Sequence, residues 1–160
     1  MKRINRLIQR QDYQKHLQKT YDLEQTRVYC KHGFDHLLAV ARIAYIYLLE
    51  QGEYSLQKEL VYTAALLHDL GRWVEYQTGE DHAEASARLA LPLMEEEGFS
   101  HEEIDLIQKA ILEHRKHGDA HLSTLGTALA KADDWARDCL NCTARQTCHK
   151  FSPEMMEISY

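Results

Sequence analysis

The adjacent residues His68 and Asp69 close the apolar run Ala64-Ala65-Leu66-Leu67, just ahead of Leu70-Gly71-Arg72. An imidazole and a carboxylate in such a run are costly to bury unless a cation or hydrogen-bond partner awaits them. Four further residues of the same chemistry, His36, His82, His114 and Asp133, lie elsewhere in the chain. Neutral imidazole and carboxylate suit divalent Fe, Mn, Co, Ni or Zn, and one carboxylate has two oxygens with which to bridge two ions. Such ions lower the pKa of a bound water and neutralise charge building on a phosphoryl group. These residue types point to metal-assisted hydrolysis.

The elements that position them read as helices. With only 7 Gly and 2 Pro in 160 residues, long helices and short loops are expected, and no convincing strand is seen. Six main helices are predicted. The first, about 3–22, is polar with sparse apolar residues and is expected to lie across the surface. The second, near 34–51, carries Leu37, Ala41, Ala44 and Leu48 at helical spacing and stops at Gly52. Ser55 can cap a third helix that runs to about Leu70 and ends at Gly71. Asp81-His82-Ala83-Glu84 has capping-box spacing and opens a fourth, to about Glu97, with Pro92 as a kink. Ser100 and Glu103 box the start of the fifth, with Phe99 and Ile104 placed for a hydrophobic staple; it runs to about His114. The sixth spans about Leu122 to Cys139.

Each polar residue falls in a core-facing slot of its helix. His36 lines up with Val40 and Ile43, His68 with Val61 and Ala64, and His82 with Ala85, Leu89 and Leu93. His114 completes the series Ile104, Ile107, Ile111, and Asp133 follows Leu125, Leu129 and Ala130. A lone histidine on an apolar face is more often a core residue with its own hydrogen-bond partner. Four of them with two aspartates, on five helices, are satisfied more simply by one metal centre.

With these residues in view, the chain resembles the HD-domain superfamily of metal-dependent phosphohydrolases. The resemblance rests on Asp35-His36-Leu37-Leu38-Ala39-Val40-Ala41, on His68-Asp69-Leu70-Gly71-Arg72 and on Lys131-Ala132-Asp133. Asp81-His82-Ala83-Glu84-Ala85-Ser86 and Ala110-Ile111-Leu112-Glu113-His114 resemble the extra-histidine segments of its binuclear members. It covers about residues 30–137. It implies an all-α, single-domain helical bundle over 1–160, with a Cys-bearing tail at 139–160. It also implies a first ion held by His36, His68, Asp69 and Asp133, and a second held by His82 and His114 with Asp69 bridging. Some binuclear members have a second histidine where this chain has Arg115, so the second ion is expected to be less securely held. His117 is a substitute ligand if the helix continues.

Asp69 and Arg72 are the expected catalytic residues. In the superfamily, a basic residue at the position of Arg72 often meets the substrate phosphate; the plain alternative is a solvated cation at a helix end. Arg137, Lys31, Arg115 and Lys116 also flank ligands and are expected to be surface charge. His16, His101, His121 and His149 make no special case.

The cysteines form a separate group. Cys139, Cys142 and Cys148 give a Cys-x2-Cys-x5-Cys run. Cys30 precedes His36 by the same interval at which Cys139 follows Asp133, so Cys30 and the tail are expected to approach each other. A Cys-only site, structural zinc or an iron–sulfur cluster, would then pin the tail to the bundle, with His149 as an alternative ligand. Reduced, unliganded thiols are the other reading.

A net charge of −6 with no block of Lys and Arg argues against non-specific binding to a nucleic-acid backbone. The first residues lack the apolar core of a signal peptide and no stretch is long enough to span a membrane, so a cytoplasmic protein is expected. The expected partner is a small phosphate-containing substrate, such as a nucleotide. A binuclear-iron oxygenase and a non-catalytic nucleotide- or redox-sensing module are the alternatives.

Overall fold

Residues 60–67 are apolar around almost the whole helical circumference, which requires a helix enclosed on every side. The computed structural model describes residues 1–116, 121–158 and 160, and this segment stands at its centre. Among the described residues there are eight α-helices and no strand. In chain order they are α1 (Lys2–Leu7), α2 (Gln11–Leu23), α3 (Phe34–Glu50), α4 (Lys58–Leu67), α5 (Arg72–Thr78), α6 (His82–Glu96), α7 (His101–Glu113) and α8 (Thr124–Trp135). The all-α class expected from the sequence holds.

Seven of the ten residues of α4 are buried, Leu60, Val61 and Thr63–Leu67. Helices α3, α7, α1, α6 and α8 pack around it. Leu37, Val40, Ala41, Ala44 and Leu48 of α3 join Ile107, Ala110 and Ile111 of α7 and Leu125, Ala128 and Leu129 of α8 in one apolar cluster. The Ser100–Glu103 capping box forms as expected, and Phe99 and Ile104 are both buried beside it. Asp81 caps α6 by accepting from the Ala83 amide.

Four helix boundaries differ from the sequence expectation; the last is that of α8, which ends at Trp135 rather than at Cys139. The first helix is two, broken at residues 8–10, where Arg10 adopts an extended conformation. Its apolar residues are core rather than surface: Ile4, Leu7 and Tyr13 are almost wholly buried. The Tyr13 hydroxyl donates to the Leu66 carbonyl at 3.0 Å, satisfying one of the unpaired carbonyls at the end of α4. Helix α4 begins at Lys58, behind Gln57, because the Ser55 side chain bonds Glu53 instead.

The third difference matters most. Helix α4 stops at Leu67, and residues 68–71 form tight turns closed by Leu70 N→Leu67 O and Arg72 N→Asp69 O bonds. Gly71 therefore starts α5, a helix the sequence did not announce, rather than only ending α4. A side chain at Gly71 would place its Cβ 2.5 Å from the Ser86 amide nitrogen of α6. Only glycine permits this approach, and the Gly71 amide uses it to donate to the Ser86 hydroxyl at 2.8 Å.

Candidate metal centre

The turn after α4 carries His68 and Asp69 into the interior, where both are buried. His36 comes from the first turn of α3, His82 from the first residue of α6, His114 from the end of α7 and Asp133 from the last turn of α8. Ligand atoms of His36, His68, Asp69 and Asp133 all lie within 4.8 Å of one another, as do those of Asp69, His82 and His114. The structure thus brings the six residues together in two groups that share Asp69.

The two oxygens of Asp69 divide between these groups. Oδ2 stands 3.4 Å from His68 Nε2, and Oδ1 stands 3.2 Å from His82 Nε2. His36 Nε2 is 3.1 Å and His68 Nε2 3.8 Å from Asp133 Oδ1. Yet His36 Nε2, His68 Nε2, Asp69 Oδ1 and Arg72 Nε are buried with no hydrogen-bond partner. Native proteins rarely leave such atoms unsatisfied without an ion or functional role.

The tautomers fit an ion. His68 Nδ1 donates to the Ala65 carbonyl and His114 Nδ1 to the Ile111 carbonyl, each at 2.6 Å, which turns both Nε2 atoms inward. His82 and His114 face each other through their Nε2 atoms at 3.1 Å. Burial, helped by nearby His68, pulls His114 down to about 3, so it stays neutral. Burial also lowers His82. Burial opposes charge on His68, but Asp69 and Asp133 outweigh it and raise that imidazole to about 9. Burial raises Asp69 and Asp133, but His68, Arg72, His32 and His82 around the first and His36 and His68 around the second outweigh it and hold both well below the usual carboxylate range. Imidazole nitrogens and ionised carboxylates converging at one place are the donor set of a divalent transition metal once His68 gives up its proton.

A supporting layer surrounds the six. Glu75 Oε2 accepts from His82 Nδ1 at 2.7 Å, an arrangement that orients a ligand imidazole. Glu75 also takes Arg72 Nη1 at 2.9 Å and Arg115 Nη1 at 3.1 Å. Arg115 pairs with Asp81 at 2.6 Å as well, so the residue standing in place of a second histidine braces α5 against α6. Arg72 is not a solvated helix-end cation. It begins α5, is largely buried, and sets Nε 3.9 Å from Asp69 Oδ1. Arg137, expected on the surface, is only 8% exposed and pairs with Asp133 and Asp134.

Sequence reasoning missed His32 and Glu24. His32 Nδ1 donates to Glu24 Oε1 at 2.5 Å, while Arg72 Nη2 donates to His32 Nε2 at 2.8 Å. Tyr76 completes the chain by donating to the same Glu24 oxygen at 2.6 Å. His32 lies in irregular chain before α3, where no apolar stripe exists to betray a buried polar residue. The Cys and His pair six and four residues ahead of His36 was the available signal. His117 lies outside the described residues.

The cysteines do approach one another. Cys30, Cys139 and Cys142 line one cavity of about 390 Å³, which also touches His36 and Arg137. Burial pushes the Cys139 thiol up, Cys30 pushes it further, Arg137 pulls it back, and Cys142 and Cys148 add to the rise.

The HD-domain family model matches residues 33–138, and the chain belongs to that family. The family is one of metal-dependent phosphohydrolases, and the His/Asp cluster offers this chain a divalent-metal donor set. The chain is 32% identical to an uncharacterized protein of Clostridium beijerinckii over 149 residues, which is 93% of this chain and 92% of that protein. No solved structure matches it. Among the described residues no helix is long and apolar enough to cross a membrane.

Proposed function

We propose that this protein hydrolyses a phosphate ester or anhydride, with nucleotides as the first substrates to test. His36, His68, Asp69 and Asp133 would hold one divalent ion, and Asp69, His82 and His114 a second. Bound there, such ions supply a water that ionises near neutrality and positive charge against a phosphoryl group. The observation carrying the proposal is the shared carboxylate, with its two oxygens facing two sets of inward-turned imidazoles.

The chain's own groups support the chemistry around that centre. Asp69 is held ionised, and its unpaired Oδ1 is an acceptor for an ion or an incoming water. Arg72 is clamped by His32 and Glu75 and keeps a buried Nε with no acceptor, so it can donate to a phosphoryl oxygen without reorganising. Glu24 fixes the tautomer of His32 and thereby the place of Arg72.

The test pairs elemental analysis with hydrolysis assays on wild type and Asp69→Ala, using p-nitrophenyl phosphate and a nucleotide panel. Wild type should carry one or two transition-metal ions and release phosphate, and the variant should lose both. Undiminished hydrolysis by metal-free Asp69→Ala refutes the proposal. So does oxygen uptake without phosphate release by the ferrous wild-type protein.

A further inference from the structure

The tail after α8 has almost no core of its own. Among residues 139–158 and 160 only Cys139 is buried, and the local structure is two short 3-10 turns, Arg145–Thr147 and Pro153–Met156. So little buried apolar surface does not order a segment of this length, and small folds in that condition use a disulfide or a metal as staple. No disulfide is present.

The staple's parts converge from two distant stretches. Tyr29 donates to the Thr147 carbonyl at 3.4 Å, tying the residue before Cys30 to the residue before Cys148. The Cys142 amide bonds the Cys139 carbonyl at 3.4 Å, and the Cys148 amide bonds the Arg145 carbonyl at 3.2 Å, so the tail loops around its own cysteines. Arg27 Nε fixes the Cys30 carbonyl at 2.8 Å. Lys31 and Arg137 line the cavity shared by Cys30, Cys139 and Cys142, together with Asp35 and Asp138.

Sulfur spacing separates the possible occupants. Tetrahedral zinc with Zn–S bonds of about 2.3 Å holds four thiolates about 3.8 Å apart. Among the described residues no three cysteine sulfurs lie within 4.8 Å of one another. Cys30, Cys139 and Cys142 nonetheless share one cavity of about 390 Å³, and Cys148 is near enough to act electrostatically on Cys139, so the thiols are neighbours at more than zinc spacing. A cubane interposes iron and sulfide between its cysteines and takes that wider setting. We propose that Cys30, Cys139, Cys142 and Cys148 ligate an iron–sulfur cluster of the cubane type, which latches the tail onto the bundle beside His36.

The test is acid-labile sulfide, which the His/Asp centre does not contain. The full chain is purified anaerobically, reconstituted with ferric iron, sulfide and dithiothreitol as the reductant, and desalted. Wild type should hold about four sulfides per chain and show broad visible absorption bleached by dithionite. Asp69→Ala should keep that sulfide, whereas Cys142→Ser and Cys148→Ser should lose it with far-UV circular dichroism unchanged. Wild-type protein that binds zinc at these residues and retains no sulfide overturns the proposal. Full sulfide in both serine variants overturns the ligand set. Should the variants fail to fold, the wild-type sulfide content decides alone.

Discussion

Glu75→Gln tests whether the two ions depend on separate supports. The Glu75 carboxylate accepts from His82 Nδ1 at 2.7 Å, from Arg72 at 2.9 Å and from Arg115 at 3.1 Å. None of His36, His68 or Asp133 touches it. Glutamine keeps one acceptor oxygen but no charge, so the imidazole loses the partner that makes its Nε2 a strong donor. Such orienting carboxylates are worth about 10- to 100-fold in metal affinity, or about 1.4 to 2.8 kcal/mol. The loss should fall on the ion held by His82 and His114 and leave the other unchanged. Glu75 is partly exposed, so the lost ion pairs should cost no more than about 1 kcal/mol of folding stability. Calorimetric titration of the metal-stripped protein with manganese, resolved into two binding steps, reads this out. Equal weakening of both steps, or no weakening of either in a folded variant, refutes the reasoning.

Metal affinity should rise with pH, because His68 in the metal-free protein is raised to about 9 and must give up its proton to bind. The slope should approach tenfold per pH unit near neutrality and flatten above about 9, and a pH-independent affinity between 6 and 8 contradicts this. Tyr13→Phe should cost about 1 to 3 kcal/mol in urea denaturation, since the buried Leu66 carbonyl loses its donor. Burial raises the Glu59 carboxyl, but the chain amino group, Arg3 and two backbone amides outweigh it and hold it at about 2, below its ordinary 4.5. Its contribution to docking α1 on α4 should therefore be complete above pH 4.5 and disappear as pH falls toward 2, and Glu59→Gln should flatten that acid limb of the melting temperature.

The six converging residues were legible because five of them continue the apolar stripe of a helix, against which a polar residue stands out, and Asp69 adjoins one of the five. Val61-Ala64-His68 and Ile107-Ile111-His114 show it most plainly. The layer behind them had no such background. His32 lies in irregular chain, and Glu75 lies in a seven-residue helix too short for a period to register. That helix was itself hidden because Gly71 reads equally as an end or a beginning; only the contact with Ser86 decides. Arg137 read as surface charge, and Arg72 read as a phosphate contact with a solvated helix end as the alternative, because sequence carries no record of the neighbours that enclose them. The break after Leu7 was hidden by its polar surroundings, although Ile4, Leu7 and Tyr13 were the apolar residues to follow.

His68 and His114 each follow directly on the last residue of a helix, and Asp133 lies in the final turn of another. Three helices therefore bring their carbonyl ends to one place, and each such end carries roughly half a negative charge. The amino ends of α3, α5 and α6 meet them there, at His36, Arg72 and His82, so helix ends of opposite sign offset one another and the side chains set the sign of the site. The cations of the site are already engaged, Arg72 with Glu75, Arg115 with Glu75 and Asp81, and Arg137 with Asp133 and Asp134, so little unpaired positive charge is left for a phosphate. On the proposed function an order follows, in which the metal ions would enter first and the anionic substrate would bind to the positive charge they supply. Phosphate should accordingly show little affinity for the metal-stripped protein and gain it only after loading.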